Sequence, residues 1–183
     1  PVLVPPGEAP RRKLGSEQGR AALLHAIAHI EFNAIDLAFD MAARFSAEIA
    51  ETGLDAAAFT ADWVRIGAEE AHHFGMIADR LNAIGSAYGD FPAHNGLWEA
   101  AENTSHDVLA RLAVAPLILE ARGLDVTPDM IERLRAVGDE ESVAILEVIY
   151  RDEVGHVACG KRWFDAVCAA RSLDPLMAFG ALR

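Results

Sequence analysis

The chain has 183 residues, enough for one compact domain, and 52% of them are hydrophobic. Only 7% are aromatic, alanine is abundant, and β-branched runs between turn residues are almost absent, which argues against a sheet and for helices. A formal charge of -12, from 28 acidic and 16 basic residues, counts against nucleic acid or an anionic membrane as the main partner.

Residues 1–15 contain four prolines and read as an extended arm, with Arg11-Arg12-Lys13 as a short solvated basic run. Ser16 can cap a first helix that runs to about Glu51, although Gly19 is a weak helix former inside it. Its apolar stripe is Leu24, Ile27, Glu31, Ile35 and Ala38. Thr52-Gly53 breaks the pattern, and Asp55 can cap a second helix ending near Ile84-Gly85. The stripe there is Trp63, Ile66, Glu70, His73, Ile77 and Leu81. The alternative register, Glu69 with His72, shares its face with Asp62, Arg65 and Arg80, so Glu70 and His73 are the inward pair.

Ser86 to Gly96 is a loop by composition, and its eleven residues could span about 36 Å, the length of a bundle. A third helix is expected from Leu97 to Arg122, stopped by Gly123, with Leu109, Ala113, Pro116 and Glu120 as its stripe. Thr127-Pro128 reads as the start of a short helix to about Val137. Asp139 then caps a last long helix to about Arg171, whose stripe is Leu146, Ile149, Glu153, His156, Gly160 and Trp163. Residues 172–183, with Pro175 and Gly180, read as an irregular tail. The expected fold is therefore all-α over residues 16–171. It is a four-helix bundle with a long crossover between helices two and three, and a short extra helix between helices three and four.

No apolar run reaches the roughly 18 residues of a membrane span, and no leader peptide is visible. Cys159 and Cys168 fall on one predicted helix, roughly 13 Å apart along its axis, too far for a disulfide. Two ordinary buried thiols fit a reducing cytoplasm. A first residue of Pro1 rather than Met fits a processed chain or a piece of a longer one.

The four stripes share one anomaly. Each is interrupted by acid, so core positions carry Glu31, Glu70, Glu120 and Glu153 together with His73 and His156. Burying such carboxylates unpaired costs several kcal/mol each, on the order of an uncompensated ion, and no lysine or arginine lies in the stripes. Two divalent cations would balance the four charges and leave the imidazoles neutral. Glu-x-x-His puts both side chains on one helix face about one turn apart, and it occurs twice, at Glu70-Ala71-His72-His73 and Glu153-Val154-Gly155-His156. Two such pairs and two single glutamates, one per helix, are the ligand set of a dimetal carboxylate site. Carboxylate and imidazole suit iron and manganese alike, so two irons or a mixed iron–manganese pair fit.

Around this set, Glu69 and Asp152 each precede a ligand glutamate. Each reads either as an acceptor for the outer nitrogen of a ligand histidine or as an exposed acid. Tyr150, one turn before Glu153, reads as a core tyrosine, or as a hydrogen-bond donor or redox partner at the metals. His25 and His29 lie off the Glu31 face and are not ligands. Pro116 should kink helix three one turn before Glu120.

The residues that carry the metal set, together with Tyr88-Gly89-Asp90-Phe91-Pro92-Ala93-His94 and Leu119-Glu120-Ala121-Arg122-Gly123-Leu124-Asp125, resemble the ferritin-like di-iron carboxylate superfamily over residues 16–171. Within it the chain is similar to a bacterial domain-of-unknown-function branch near the tRNA-hydroxylating MiaE-like proteins. That resemblance implies a cytoplasmic oxidase or oxygenase with dioxygen, an external reductant and a small or apolar substrate as partners. A monomer or small homo-oligomer without a membrane partner is expected, with tRNA only against the unfavourable charge. The four-cysteine iron domain of rubrerythrins is missing, as two cysteines without a CxxC cannot build it. Ferroxidase or iron-handling activity, and a bundle merely held together by its metals, are the alternative readings.

Overall fold

The computed structural model describes residues 1–8 and 13–182, which are helical apart from turns, loops and one isolated β-bridge. Arg11 and Arg12 of the basic run lie outside the described residues. Helix α1 (Glu17–Glu51) begins where the Ser16 hydroxyl accepts the Gly19 N–H, and ends at Gly53 with φ +81°. Helix α2 (Ala56–Ala83) is capped by Asp55, which accepts the Ala58 N–H, and ends before Gly85 at φ +77°.

The expected third helix is several pieces. Helix α3 (Gly96–Asn103) stops at Thr104, whose hydroxyl turns back to the Ala100 carbonyl. Asp107 then caps helix α4 (Val108–Val114) by accepting the N–H groups of Leu109 and Ala110. A π-helical stretch, Ala115–Glu120, follows at Pro116 and leads straight into α5 (Ala121–Ala136). Gly123 is therefore no terminator: it lacks the positive φ seen at Gly53, Gly85 and Gly138. Nor does Thr127-Pro128 open a separate short helix. Thr127 bonds back to the Gly123 carbonyl, and packing of Ile131 and Leu134 into the core carries the helix through Pro128. Helix α6 (Glu140–Ala170) is capped by Asp139. The tail is not irregular either. Asp174 accepts the Met177 N–H with Pro175 at the first helical position, which starts α7 (Pro175–Leu182).

Long-range contacts give the directions. Ser46 meets Thr60, so α1 and α2 are antiparallel neighbours. Arg80 meets Asp139 and Arg162 meets Asp62, so α6 runs antiparallel to α2. Val108 meets Glu48 and Arg111 meets Asp40, so α4 climbs back along α1. The crossover is thus the loop after α2 together with α3, since Arg111 of α4 also bonds the Ala101 carbonyl and Thr104. Arg111 is buried, and its pairing with Asp40 fastens α4 to α1.

Buried apolar residues form two clusters at opposite ends of the bundle. One holds Phe45, Phe59, Trp63, Leu112, Trp163 and Phe164. The other holds Leu24, Ile77, Leu81, Leu134 and Leu146. The stripe glutamates and histidines fall between them on every long helix. By length and composition alone α1 would pass for a membrane-crossing helix, although charged residues interrupt every apolar run in it, and 67% of its most apolar window is buried inside the fold. Both cysteines are free and buried.

The crossover loop is held by α1. His25 Nε2 accepts the Gly89 N–H at 2.9 Å, and its ring stacks on Tyr88 and meets Phe91 edge-on. His29 lies 2.8 Å from the Tyr88 hydroxyl through Nδ1 and 3.2 Å from the His94 carbonyl through Nε2. The far side of the loop pairs with the N-terminus, where Leu3 bridges to Ala93. Burial, reinforced by His29, pushes the His25 pKa below its ordinary 6.5. The accepting Nε2 must be unprotonated, so the undocked loop takes up a proton first as pH falls. Loop docking is therefore at full strength above about pH 6.5 and weakens below it. Amide exchange should show the protection factor of Gly89 falling between pH 7.5 and 5.5; an unchanged factor would exclude His25 as the clasp.

Candidate metal centre

The sequence periodicity puts one acid per long helix at mid-height, and the chain directions bring these heights together. Glu31 comes from α1, Glu70 and His73 from α2, Glu120 from the end of the π turn, and Glu153 and His156 from α6. Ligand-type atoms of Glu31, Glu70, His73 and Glu153 all lie within 4.8 Å of one another, an arrangement that could hold a metal ion. Glu31, Glu70, His73 and His156 are buried, while the Glu153 side chain keeps 15% exposure. His72 is exposed, as its register requires.

Glu70 straddles the two imidazoles. Its Oε2 is 3.2 Å from His73 Nδ1 and its Oε1 is 3.1 Å from His156 Nδ1. His73 Nδ1 is also 3.3 Å from Glu31, and His156 Nδ1 is 3.5 Å from Glu153. The two rings stand 6.0 Å apart. Each inner nitrogen thus faces oxygens from two helices.

The outer nitrogens are held crosswise. His73 of α2 lies 3.2 Å from Asp152 of α6 through Nε2, and His156 of α6 lies 2.8 Å from Glu69 of α2. A carboxylate only accepts, so each Nε2 carries the proton and donates it. Each Nδ1 is then the nitrogen that can give up its proton and offer a lone pair to a cation held among the carboxylates. Glu69 and Asp152 are themselves paired with Arg65 and Arg151 at the surface. The exchange between helices was not legible in the sequence, because it depends on how α2 and α6 are juxtaposed. Tyr150 is half-buried on α6 and makes no side-chain hydrogen bond among the described residues. His25 and His29 clasp the loop and are not part of the layer.

The donor set fits metal ions better than it fits itself. Glu70 Oε1, Glu120 Oε2, Glu153 Oε2 and His156 Nδ1 are buried without a hydrogen-bond partner, even where neighbours are close. Native interiors rarely leave such atoms bare. Burial pushes the Glu31 and Glu120 carboxyls well above the usual range, and for Glu120 the nearby Glu153 and Glu70 push further. Burial raises Glu153 too. Glu70 is the exception: burial would raise it, but contacts with His156 and His73 hold it at about 2. Burial would lower the imidazoles, but Glu31 with Glu70 takes His73 to about 10, and Glu153 with Glu70 takes His156 to about 11. Without cations the layer therefore stores protons at neutral pH.

Residues 1–182 match the family described as Protein of unknown function (DUF455). A protein of Haemophilus influenzae (strain ATCC 51907 / DSM 11121 / KW20 / Rd), described as an uncharacterized protein, is 47% identical over 182 residues. That alignment covers 100% of this chain and 63% of the relative, so the chain spans less than two thirds of the relative's length. No solved structure matches the chain.

Groups with raised pKa values must lose protons to bind a cation, so uptake should release protons and tighten as pH rises. Adding cobalt(II) to metal-free protein in weak buffer at pH 7 should acidify it; no release would remove the imidazoles from the site. Glu69→Ala and Asp152→Ala should each weaken cation binding by about 10–100-fold through loss of ring orientation, measurable by calorimetry.

Proposed function

The chain belongs to the family described as Protein of unknown function (DUF455), and we propose that its polar layer is a ferritin-like di-iron centre serving an oxygen-dependent oxidase or oxygenase. The observation that carries this reading is the position of Glu70, with one oxygen toward each inner imidazole nitrogen. A carboxylate so placed suits two cations rather than one. Glu31 and His73 would complete one position, and Glu120 and His156 the other, with Glu153 shared alongside Glu70. Iron is the first choice on chemistry, and manganese or a mixed pair fits the same donors.

Two irons, reduced by an external donor, would supply the electrons that dioxygen needs and that these side chains lack. The residues themselves do the rest. Four carboxylates balance two divalent charges, and the apolar clusters above and below keep bulk water from the layer. Glu69 and Asp152 fix both rings so that Nδ1 points inward. Glu153, the partly exposed acid, marks the side from which a small apolar substrate would approach.

Anaerobic loading with iron(II) should give two irons per chain, and admitting oxygen should change the visible absorption and consume oxygen. Glu70→Ala should lose both cations and this reactivity. Oxygen consumption at the wild-type rate in Glu70→Ala or Glu153→Ala would overturn the assignment. Uptake of hundreds of irons per chain would favour storage instead.

A further inference from the structure

The π turn between α4 and α5 needs a cause, because such turns are rare and are held open by something. Half of the cause lies in the chain itself. Pro116 has no N–H to give to the preceding turn, and its ring crowds the carbonyl four residues back. The helix widens in response, and Ala121 N–H reaches the carbonyl of Pro116, five residues earlier. The other half lies across the interface. Pro116 is buried against Gly160 of α6. A Cβ at Gly160 would stand 2.4 Å from Pro116 Cβ and 2.5 Å from its Cγ. Non-bonded carbon atoms do not approach that closely, and a proline ring has no rotamer by which to retreat.

Glycine inside a helix is unfavourable by about 1 kcal/mol relative to alanine, so a buried one in a 31-residue helix invites a reason. Gly155, on the same helix, offers a contrast: a Cβ there would meet nothing within 4 Å. Four residues beyond Pro116 is Glu120, whose Oε2 is buried and unpartnered beside the layer. One residue's worth of winding corresponds to about 100° of rotation, so the turn decides where around the axis Glu120 emerges.

We infer that Pro116 seated on Gly160 is the device that positions Glu120, and that the second cation of the proposed pair depends on it. The inference rests on the di-metal reading for its cation half only. The three atoms nearest a Cβ at Gly160 all belong to Pro116, so Gly160 acts through the turn. Its missing side chain lets α4 come close enough for the wide turn to stay wide.

The test pairs crystal structures of the metal-free proteins with cobalt(II) titration. Wild type should bind two cobalt ions per chain. Gly160→Ala should bind one, at Glu31, Glu70, His73 and Glu153, and its metal-free structure should show the turn displaced and Glu120 withdrawn. Gly155→Ala should still bind two, which separates the contact from the general effect of alanine in α6. Pro116→Ala restores the N–H and removes the ring while keeping Gly160, so it should lose the same second cation. It also serves if Gly160→Ala does not fold. A metal-free structure of either variant with the π turn and Glu120 in their wild-type places overturns the inference. If wild type binds no cobalt, the di-metal reading fails, and the metal-free structures still decide whether this contact places Glu120.

Discussion

The fold is organised around charge that has no business in an apolar core. Four carboxylates and two imidazoles sit at mid-height, with hydrophobic clusters above and below. An isolated buried ion would cost several kcal/mol, of the same order as the net stability of a domain. Every long helix contributes to the layer, so every long helix must keep both its rotation and its height. The capping residues fix where the helices start. The ion pairs at the ends, Arg111 with Asp40 and Arg80 with Asp139, oppose sliding. The crossed histidine–carboxylate pairs then tie α2 to α6 at the layer itself.

Much of this was legible in the sequence, because helical spacing is a local property. Glu70 and His73 fall on the same stripe as Trp63 and Ile77, and the exposed face of Glu69 and His72 is equally plain. Terminators with positive φ, such as Gly53 and Gly138, read correctly for the same reason. Errors arose where tertiary packing overrides local preference. Gly123 and Pro128 looked like a break, but Ile131 and Leu134 have core to bury and the helix runs through both. Asn103-Thr104-Ser105 looked like a helix interior, but Asp107 restarts the chain beyond it. The Asp174-Pro175 start of α7 used the same signal as Thr127-Pro128, with the opposite outcome. Proline after a capping residue permits a helix start, and only packing decides whether one occurs.

The site shows the same division. Which residues enter the layer follows from periodicity on single helices. How they are arranged there does not, since the place of Glu70 between the imidazoles comes from the approach of α2 and α6. The assignment of Nδ1 as the inward nitrogen likewise follows from partners 79 and 87 residues away. No pattern within a helix could supply either fact.

The two apolar clusters have a consequence for how the molecule comes apart. Each end of the bundle buries its own aromatic or aliphatic core, and the polar layer lies between them. Cooperativity between the ends is then a property of whatever neutralises that layer. With its charges matched by cations, the molecule should melt as a single unit. With protons in their place, the ends should behave as separate foldons, the end bearing the crossover loop opening before the aromatic end around Phe59 and Trp163.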